Sequence, residues 1–268
     1  MDANLSLRIA TAAIAVPLLA WVIGWSPPWV FPVLVSVLTV GALWEFFAMA
    51  FPHAPRERQL GVLLGLALSA AVFFDDRVYV THWLGAVLLV GFVIFLLAAR
   101  ELVEGLNRLS ITLLGASYAG FLLPQWVSLF RQPQGRAWTF WVLSVVMFGD
   151  TAAYFVGRGI GVKKLAPQIS PSKTVAGAWG YLGGVVVAGL VAAKIFLEQV
   201  NWIEIIVMSL ILGVLGQIGD LFESWIKRVF AVKDSGKLLP GHGGLLDRLD
   251  SLIFPAVFTS AYLRVFHS

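Results

Sequence analysis

Nine runs of about 20 mostly apolar residues follow one another along this chain of 268 residues. A helix of that length crosses the hydrocarbon core of a bilayer, and in lipid it satisfies its own backbone hydrogen bonds. The strands of a β-barrel would show short alternating segments, and these runs do not alternate. We therefore predict an all-α, polytopic integral membrane protein with about nine transmembrane helices. The predicted spans lie near residues 9–26, 29–50, 59–74, 80–99, 109–130, 137–157, 175–197, 202–220 and 249–266.

The composition excludes a soluble globular domain and several kinds of chemistry. Apolar residues make up 59% of the chain and charged residues 13%, against about 25% charged residues in ordinary domains. Cysteine is absent, which excludes disulfides, thiolate nucleophiles and cysteine metal sites. We interpret residues 1–268 as a single membrane domain. Within it, residues 1–136 are generic spans, and residues 137–268 hold the catalytic helices and two polar loops.

The placement of the lysines and arginines predicts the orientation in the membrane. If the N-terminus is cytoplasmic, fourteen of the 19 cations lie on the cytoplasmic side, a bias typical of inward-facing loops. The two long polar loops, residues 157–174 and 221–248, then also face the cytoplasm, where nucleotides are found. The cations left outside are Arg77, Arg131, Arg136, Lys194 and Arg264.

The polar groups of this mostly apolar chain are concentrated between Ser224 and Asp250. Five cations, three carboxylates and one histidine lie within these 27 residues, together with several glycines. Cations suit phosphates and carboxylates suit a divalent metal ion. The segment therefore indicates phosphoryl or nucleotidyl transfer at a membrane surface.

Three aspartates are the candidate metal ligands. Asp220 ends the eighth apolar run, and Asp247 and Asp250 lie one helical turn apart at the start of the ninth. Together they predict an oxygen-ligand cluster for Mg²⁺, which proteins bind with one or two carboxylates plus substrate phosphates. The alternatives are an interfacial ion pair for Asp220 and a helix-dipole cap for the other two.

Further candidates lie in the second loop and inside the spans. Ser170 is expected to cap a helix with Pro171 at its first position, so that Ser172, Lys173 and Thr174 project near a positive helix end. Asp150 shares a helix face with Tyr154 and Arg158, and it is either functional or a buried structural hydrogen-bonding group. Two further residues stay ambiguous: His242 in a glycine turn, and Glu45, an intramembrane carboxylate without companions in the sequence.

The segment from Ser224 to Asp250 resembles the signature of the phosphatidate cytidylyltransferase, or CDP-diacylglycerol synthase, family. Two upstream elements, Asp150-x-x-Ala-Tyr154 and Ser170-Pro-x-Lys-Thr174, are similar to two further family motifs. One departure is Ala176, where many members carry glutamate or glutamine. The signature residues are Lys227-Arg228, Lys233-Asp234, Pro240, His242-Gly243-Gly244 and Asp247-Arg248-Leu249-Asp250.

The resemblance implies that CTP and phosphatidate react to CDP-diacylglycerol and pyrophosphate in phospholipid biosynthesis, with Mg²⁺ alone or with a second cation. It implies a homodimer in a bacterial inner membrane, with a polar cavity open to the cytoplasm and to lipid, and no nucleic-acid partner. By this resemblance Asp220, Asp247 and Asp250 are catalytic metal ligands, and Lys227 is a further catalytic residue. The substrate contacts it implies are Asp150, Tyr154, Ser172, Lys173, Thr174, Arg228, Lys233, His242 and Arg248.

Two other function classes stay open at this point. A CDP-alcohol phosphotransferase also uses membrane aspartates, although its spaced aspartate pattern is not found here. An ion-coupled transporter would place Asp150 and Glu45 in its pathway. The transporter predicts ion flux without pyrophosphate release and leaves the lysine-rich segment unexplained.

Overall fold

The computed structural model of the protein describes residues 3–74, 77–98, 101–236, 238 and 243–267. Within these ranges the chain forms ten α-helices and one short β-hairpin, which confirms the predicted all-α class. A 3₁₀ turn, Ala71–Phe73, follows the third helix, and a π-helical segment, Ala116–Leu122, follows the fifth. The elements are α1 (Ala3–Gly24), α2 (Val30–Ala50), α3 (Pro55–Ala70), α4 (Arg77–Ala98), α5 (Leu102–Gly115), α6 (Gln125–Phe130), α7 (Gly135–Ile160), β1 (Lys164–Ala166), β2 (Ser170–Thr174), α8 (Val175–Phe196), α9 (Trp202–Val229) and α10 (Leu246–Phe266).

The predicted apolar runs coincide with these helices. In the described parts of the chain, seven helical segments are long and apolar enough to cross a membrane, by length and composition. The fifth predicted run is one such segment, Leu102–Phe130, which joins α5, the π-helical segment and α6. Two predicted runs are not among these seven segments. Helix α3 has 16 residues, and for the first run only Ala13–Gly24 lies in the part of the chain whose side chains the structure describes. A polytopic membrane protein is confirmed, while nine spans and a cytoplasmic N-terminus stay predictions.

The helix of the eighth predicted span does not end at residue 220. Helix α9 has 28 residues and continues to Val229, so Asp220 lies inside the helix. Its length is about 42 Å, which exceeds the hydrocarbon core of about 30 Å. The helix continues because charged residues alternate with apolar ones beyond Asp220, which leaves an apolar face with Phe222 and Ile226.

The predicted helix start at Ser170 and Pro171 is wrong. Residues Ser170–Thr174 form β2, which pairs antiparallel with β1, with Lys164 opposite Thr174. Helix α8 begins only at Val175, where the Thr174 hydroxyl oxygen accepts a hydrogen bond from the backbone N–H of Gly177 at 3.1 Å. Thr174 is the better N-cap because the apolar helical run follows it directly, whereas the proline at 171 suits the extended backbone of a short edge strand.

The chain divides into two compact units. The first comprises Met1–Pro27, Leu129–Lys233 and Asp247–Ser268, and the second comprises Pro28–Ser128 and Asp234–Leu246. The first unit thus holds α7 to α10 and the hairpin. The second holds α2 to α5 and most of the loop between α9 and α10.

Small residues bring the helices of each unit close together. In the first unit, Gly149 of α7 faces Tyr181 and Val185 of α8, so that any added Cβ would clash with their side chains. In the second unit, the buried rings of Phe46 and Phe47 pack over glycines of α3 and α5. In lipid, helix association depends on such close packing, since water exclusion contributes little there.

Candidate active site

A cavity of about 450 Å³ lies within the first unit, among α7, the β-hairpin, α8 and α9. It collects the polar residues of otherwise apolar helices, and glycines at 157 and 177 leave room beside them. Six of the predicted site residues share this cavity although they are far apart in sequence. They are Asp150, Tyr154, Ser172, Lys173, Thr174 and Asp220.

Helix α7 presents three polar side chains to the cavity from successive turns. Asp150, Tyr154 and Arg158 are spaced four residues apart, so they share one face of the helix as predicted. The Arg158 guanidinium donates a hydrogen bond to the Tyr154 hydroxyl at 2.9 Å. The Asp150 carboxylate accepts a hydrogen bond from the Ser251 hydroxyl at 3.3 Å. Asp150 therefore contacts α10, and the row of polar side chains on α7 ends with the guanidinium of Arg158.

Lys173 of β2 reaches across the cavity to α9. Its ammonium group lies 2.6 Å from an oxygen of Asp220, and both side chains are only partly buried. Asp150 of α7 lines the same cavity. The hairpin therefore delivers a cation to a cavity that two carboxylates from two different helices also line.

A second and more buried cluster lies between α9 and α10. Lys227 forms ion pairs with Glu223, one turn earlier on α9, and with Asp247 of α10, the latter at 2.6 Å. The Glu223 side chain is fully buried, with 0% exposed. Sequence reasoning did not single out Glu223 as a site residue, although its spacing four residues before Lys227 was a signal for this ion pair.

Asp250 connects the two groups of carboxylates. It lies in the first turn of α10 and is 8% exposed, and its side chain accepts a hydrogen bond from the backbone N–H of Ser251 at 2.7 Å. Its backbone packs closely on Gly219, the residue before Asp220, since a Cβ at 219 would collide with the Asp250 carbonyl oxygen. The glycine thus lets α9 and α10 cross at the carboxylates.

The donor set of this region suits a hard divalent cation such as Mg²⁺. Five carboxylates, at positions 150, 220, 223, 247 and 250, face only two lysines in the ion pairs described, and the excess negative charge calls for further cations. The buried Glu223 Oε1 has no hydrogen-bond partner within the described ranges. Among the residues that the structure describes, however, no three His, Asp or Glu side chains converge on one point. Metal binding by Asp220, Asp247 and Asp250 stays a prediction.

Three other predicted substrate residues, Arg228, Lys233 and Arg248, do not line the cavity. Arg228 donates a hydrogen bond to the Ile169 carbonyl at 3.1 Å and so ties the end of α9 to the hairpin. Lys233 and Arg248 are exposed. His242 lies outside the described residues. The cavity also includes Tyr181 and Gln217, which sequence reasoning missed because both belong to predominantly apolar runs.

Comparison with known proteins shows which proteins this chain resembles. The model of a protein family described as "Cytidylyltransferase family" matches residues 6–266. A phosphatidate cytidylyltransferase of Brucella suis biovar 1 (strain 1330) is 35% identical over 269 residues, covering 98% of this chain and 94% of that protein. A protein of the same name from Bacillus subtilis (strain 168) is 43% identical over 158 residues, covering 57% of each chain. An uncharacterized Escherichia coli (strain K12) protein, YnbB, is 32% identical over 248 residues, covering 89% of this chain and 80% of its own.

Proposed function

The chain belongs to the cytidylyltransferase family, and from that premise we propose that it transfers the cytidylyl group of CTP to phosphatidate. The products are CDP-diacylglycerol and pyrophosphate. The observation that carries the proposal is the cavity that joins Asp150, Lys173 and Asp220 from three separate elements. It offers a cation for phosphates beside carboxylates for a metal ion, in the part of the chain that is otherwise apolar.

The chemistry of the substrates explains why this site contains charges rather than an activated nucleophile. A phosphate monoester has its second pKa near about 6, so the lipid phosphate is already ionised near neutral pH and needs no general base. One of its oxygens attacks the α-phosphorus of CTP, and the bond to the bridging oxygen of the β-phosphate breaks to release pyrophosphate. The main barrier is the repulsion between two polyanions, which fixed cations reduce.

The lysines and arginine of the site supply those fixed cations. Lys173 and Arg158 line the cavity, where they bind phosphate oxygens in place of solvent. Lys227 is held between Glu223 and Asp247, which orients its ammonium group beside the carboxylates. Asp220, Asp247 and Asp250 would hold Mg²⁺, which would neutralise phosphate charge and stabilise the leaving pyrophosphate.

The membrane explains how the two substrates meet. Phosphatidate keeps its acyl chains in lipid, so we propose that it enters from the bilayer and that CTP enters from the cytoplasm. The excess of lysine and arginine in the loops predicted to face inward supports a cytoplasmic site, and the bacterial relatives support an inner-membrane location. We also propose a homodimer, as the family resemblance implies.

Pyrophosphate release by the purified protein in mixed micelles tests this function. We expect release that requires CTP, phosphatidate and Mg²⁺ together, and the formation of CDP-diacylglycerol in equal amount. Diacylglycerol, which lacks the phosphate nucleophile, is the matched control lipid and should give no product. Pyrophosphate release that is independent of phosphatidate would refute the proposal, as would ion flux in proteoliposomes without any nucleotide turnover.

A further inference from the structure

Glu45 is a buried carboxylate in the second unit. It lies in the apolar helix α2 and is 3% exposed. Its Oε2 accepts two hydrogen bonds at 2.9 Å, one from the hydroxyl of Ser235 and one from the backbone N–H of Leu246. These two donors flank a single segment, residues 235–246, which contains the glycine turn of the family signature and ends directly before Asp247.

The glycines next to this carboxylate are shaped to it. A Cβ on Gly236 would lie 2.6 Å from the Glu45 carboxyl carbon, and a Cβ on Gly244 would lie 2.6 Å from Oε2. Gly243 has a φ of 82°, which side chains other than glycine rarely adopt. The backbone on either side of the glycine turn therefore closes around Glu45 at van der Waals distance, which no larger residue at 236 or 244 permits.

We propose that Glu45 is a positioning residue that holds the backbone at Ser235 and Gly236 beside Gly244 and Leu246, and that this spacing is needed for CTP binding. The inference rests on the proposed function. A carboxylate buried in an apolar helix is costly unless it is hydrogen-bonded, and the donors at Ser235 and Leu246 offset part of that cost. One carboxylate oxygen that accepts from both ends of the segment holds them together more tightly than two separate neutral hydrogen bonds.

The consequence for catalysis follows from populations. If the arrangement in which Glu45 holds these two backbone stretches together becomes a minor one, the apparent affinity for CTP falls by the same factor. Each charge-assisted hydrogen bond contributes enough to change a population about tenfold or more. Loss of Glu45 should therefore raise the KM for CTP, while the KM for phosphatidate should change less than about twofold, since that lipid approaches from the membrane.

Three variants separate this role from a general structural one. Glu45→Leu removes both hydrogen bonds and keeps the volume, whereas Glu45→Gln keeps an oxygen that can accept both. Thr39→Val is the matched control, because Thr39 is equally buried on α2 and donates only to the Val35 carbonyl of its own helix. We expect a rise of at least about tenfold in the KM for CTP with Glu45→Leu, and near-normal values with the other two.

Hydrogen exchange of the backbone amides tests the anchor independently of activity. In the intact protein in detergent, we expect the amides in peptides covering residues 244–246 to exchange at least about tenfold faster in Glu45→Leu than in the wild type. In Thr39→Val they should exchange as in the wild type. If the wild type shows this protection but no CTP turnover, the proposed function fails and the anchor stands.

Two results would overturn the inference. One is unchanged exchange at residues 244–246 in Glu45→Leu. The other is a lower kcat with an unchanged KM for CTP, which is the behaviour of a merely structural residue. If Glu45→Leu does not fold, Ser235→Ala takes its place, because it removes one of the two hydrogen bonds. We then expect about a threefold rise in the KM for CTP, and an unchanged value would refute the anchor.

Discussion

Two lysines, Lys173 and Lys227, hold carboxylates of the candidate active site in ion pairs, and this arrangement has a chemical consequence. A phosphate oxygen is the same kind of partner for an ammonium group as the carboxylate oxygen that each lysine contacts. The exchange of one for the other costs little, because the charge pairing is preserved. The same residues therefore keep the buried charges balanced and offer cations to the substrates.

Lys173→Ala should weaken the binding of a phosphate-bearing substrate. Among the ion pairs described, Lys173 is the one lysine that pairs with Asp220. Its substitution removes a charge-assisted hydrogen bond from the cavity. We expect the KM for CTP or for phosphatidate to rise at least about tenfold in steady-state assays of the purified protein. Lys163→Ala is the control, since Lys163 is exposed and does not line the cavity. Unchanged KM values and kcat in Lys173→Ala would reduce this residue to a structural partner of Asp220.

Asp247→Asn should abolish turnover while the protein still folds. Asp247 shares Lys227 with Glu223, and the change removes one charge at the point where the proposed mechanism needs a metal ligand. We expect kcat to fall by a factor of at least about 100 at saturating Mg²⁺. Glu198→Gln, at an exposed position between α8 and α9, is the control and should retain most of its activity. Near-normal turnover in Asp247→Asn would remove this residue from the metal site.

At the level of elements, the end of α9 shows a backbone conformation that is costly for its residue. Ala231 has a φ of 55°, in the left-handed region. The N–H of Val232 donates to the Lys227 carbonyl at 2.9 Å, and the N–H of Ala231 donates to the Arg228 carbonyl at 3.1 Å. This pattern terminates helices in a Schellman motif, where glycine is the preferred residue at the left-handed position. An alanine there holds the helix end beside Lys227 at a cost in stability.

Ala231→Gly should therefore stabilise the protein. Relief of the left-handed strain, about 1–2 kcal/mol, exceeds the extra chain entropy that glycine loses on folding, about 0.5–1 kcal/mol. We expect the melting temperature in detergent to rise by about 1–3 °C. Ala261→Gly, at an exposed position within α10, is the matched control and should lower it. A lower melting temperature in Ala231→Gly would show that the alanine side chain makes a contact worth more than the strain.

Sequence patterns predicted the apolar helices that a membrane requires. They missed the hairpin and the contacts between residues that are distant in sequence. Apolar runs had to be helices, and the aspartates at 247 and 250 had to open the last helix, because each follows from a local pattern. The hairpin was missed because five residues of mixed polarity carry no periodic signal. The partners of Glu45 were missed because they lie 190 and 201 residues away along the chain.

For the whole molecule, the side of the membrane that each polar loop faces depends on α3. This helix has 16 residues, and the 3₁₀ turn after it extends the helical segment from Pro55 to Phe73. If α3 does not cross the membrane, the N-terminus and the loop between α2 and α3 lie on the side opposite the loops of the candidate active site. Arg8, Arg56 and Arg58 would move with them, and the cytoplasmic share of the 19 cations would fall from fourteen to eleven. The positive-inside rule therefore favours a crossing.

Single-cysteine labelling decides this point, because the natural chain has no cysteine and each variant reports one position. We expect His53→Cys, Gln168→Cys and Asp234→Cys to react with a membrane-impermeant maleimide only from the cytoplasmic side. Phe74→Cys and Gln199→Cys should react only from the opposite side, and all five positions are exposed. Reaction of His53→Cys and Phe74→Cys from the same side would show that α3 does not span the membrane. Reaction of Gln168→Cys and Asp234→Cys from the outer side would separate the site from cytoplasmic CTP and refute the proposed route of entry.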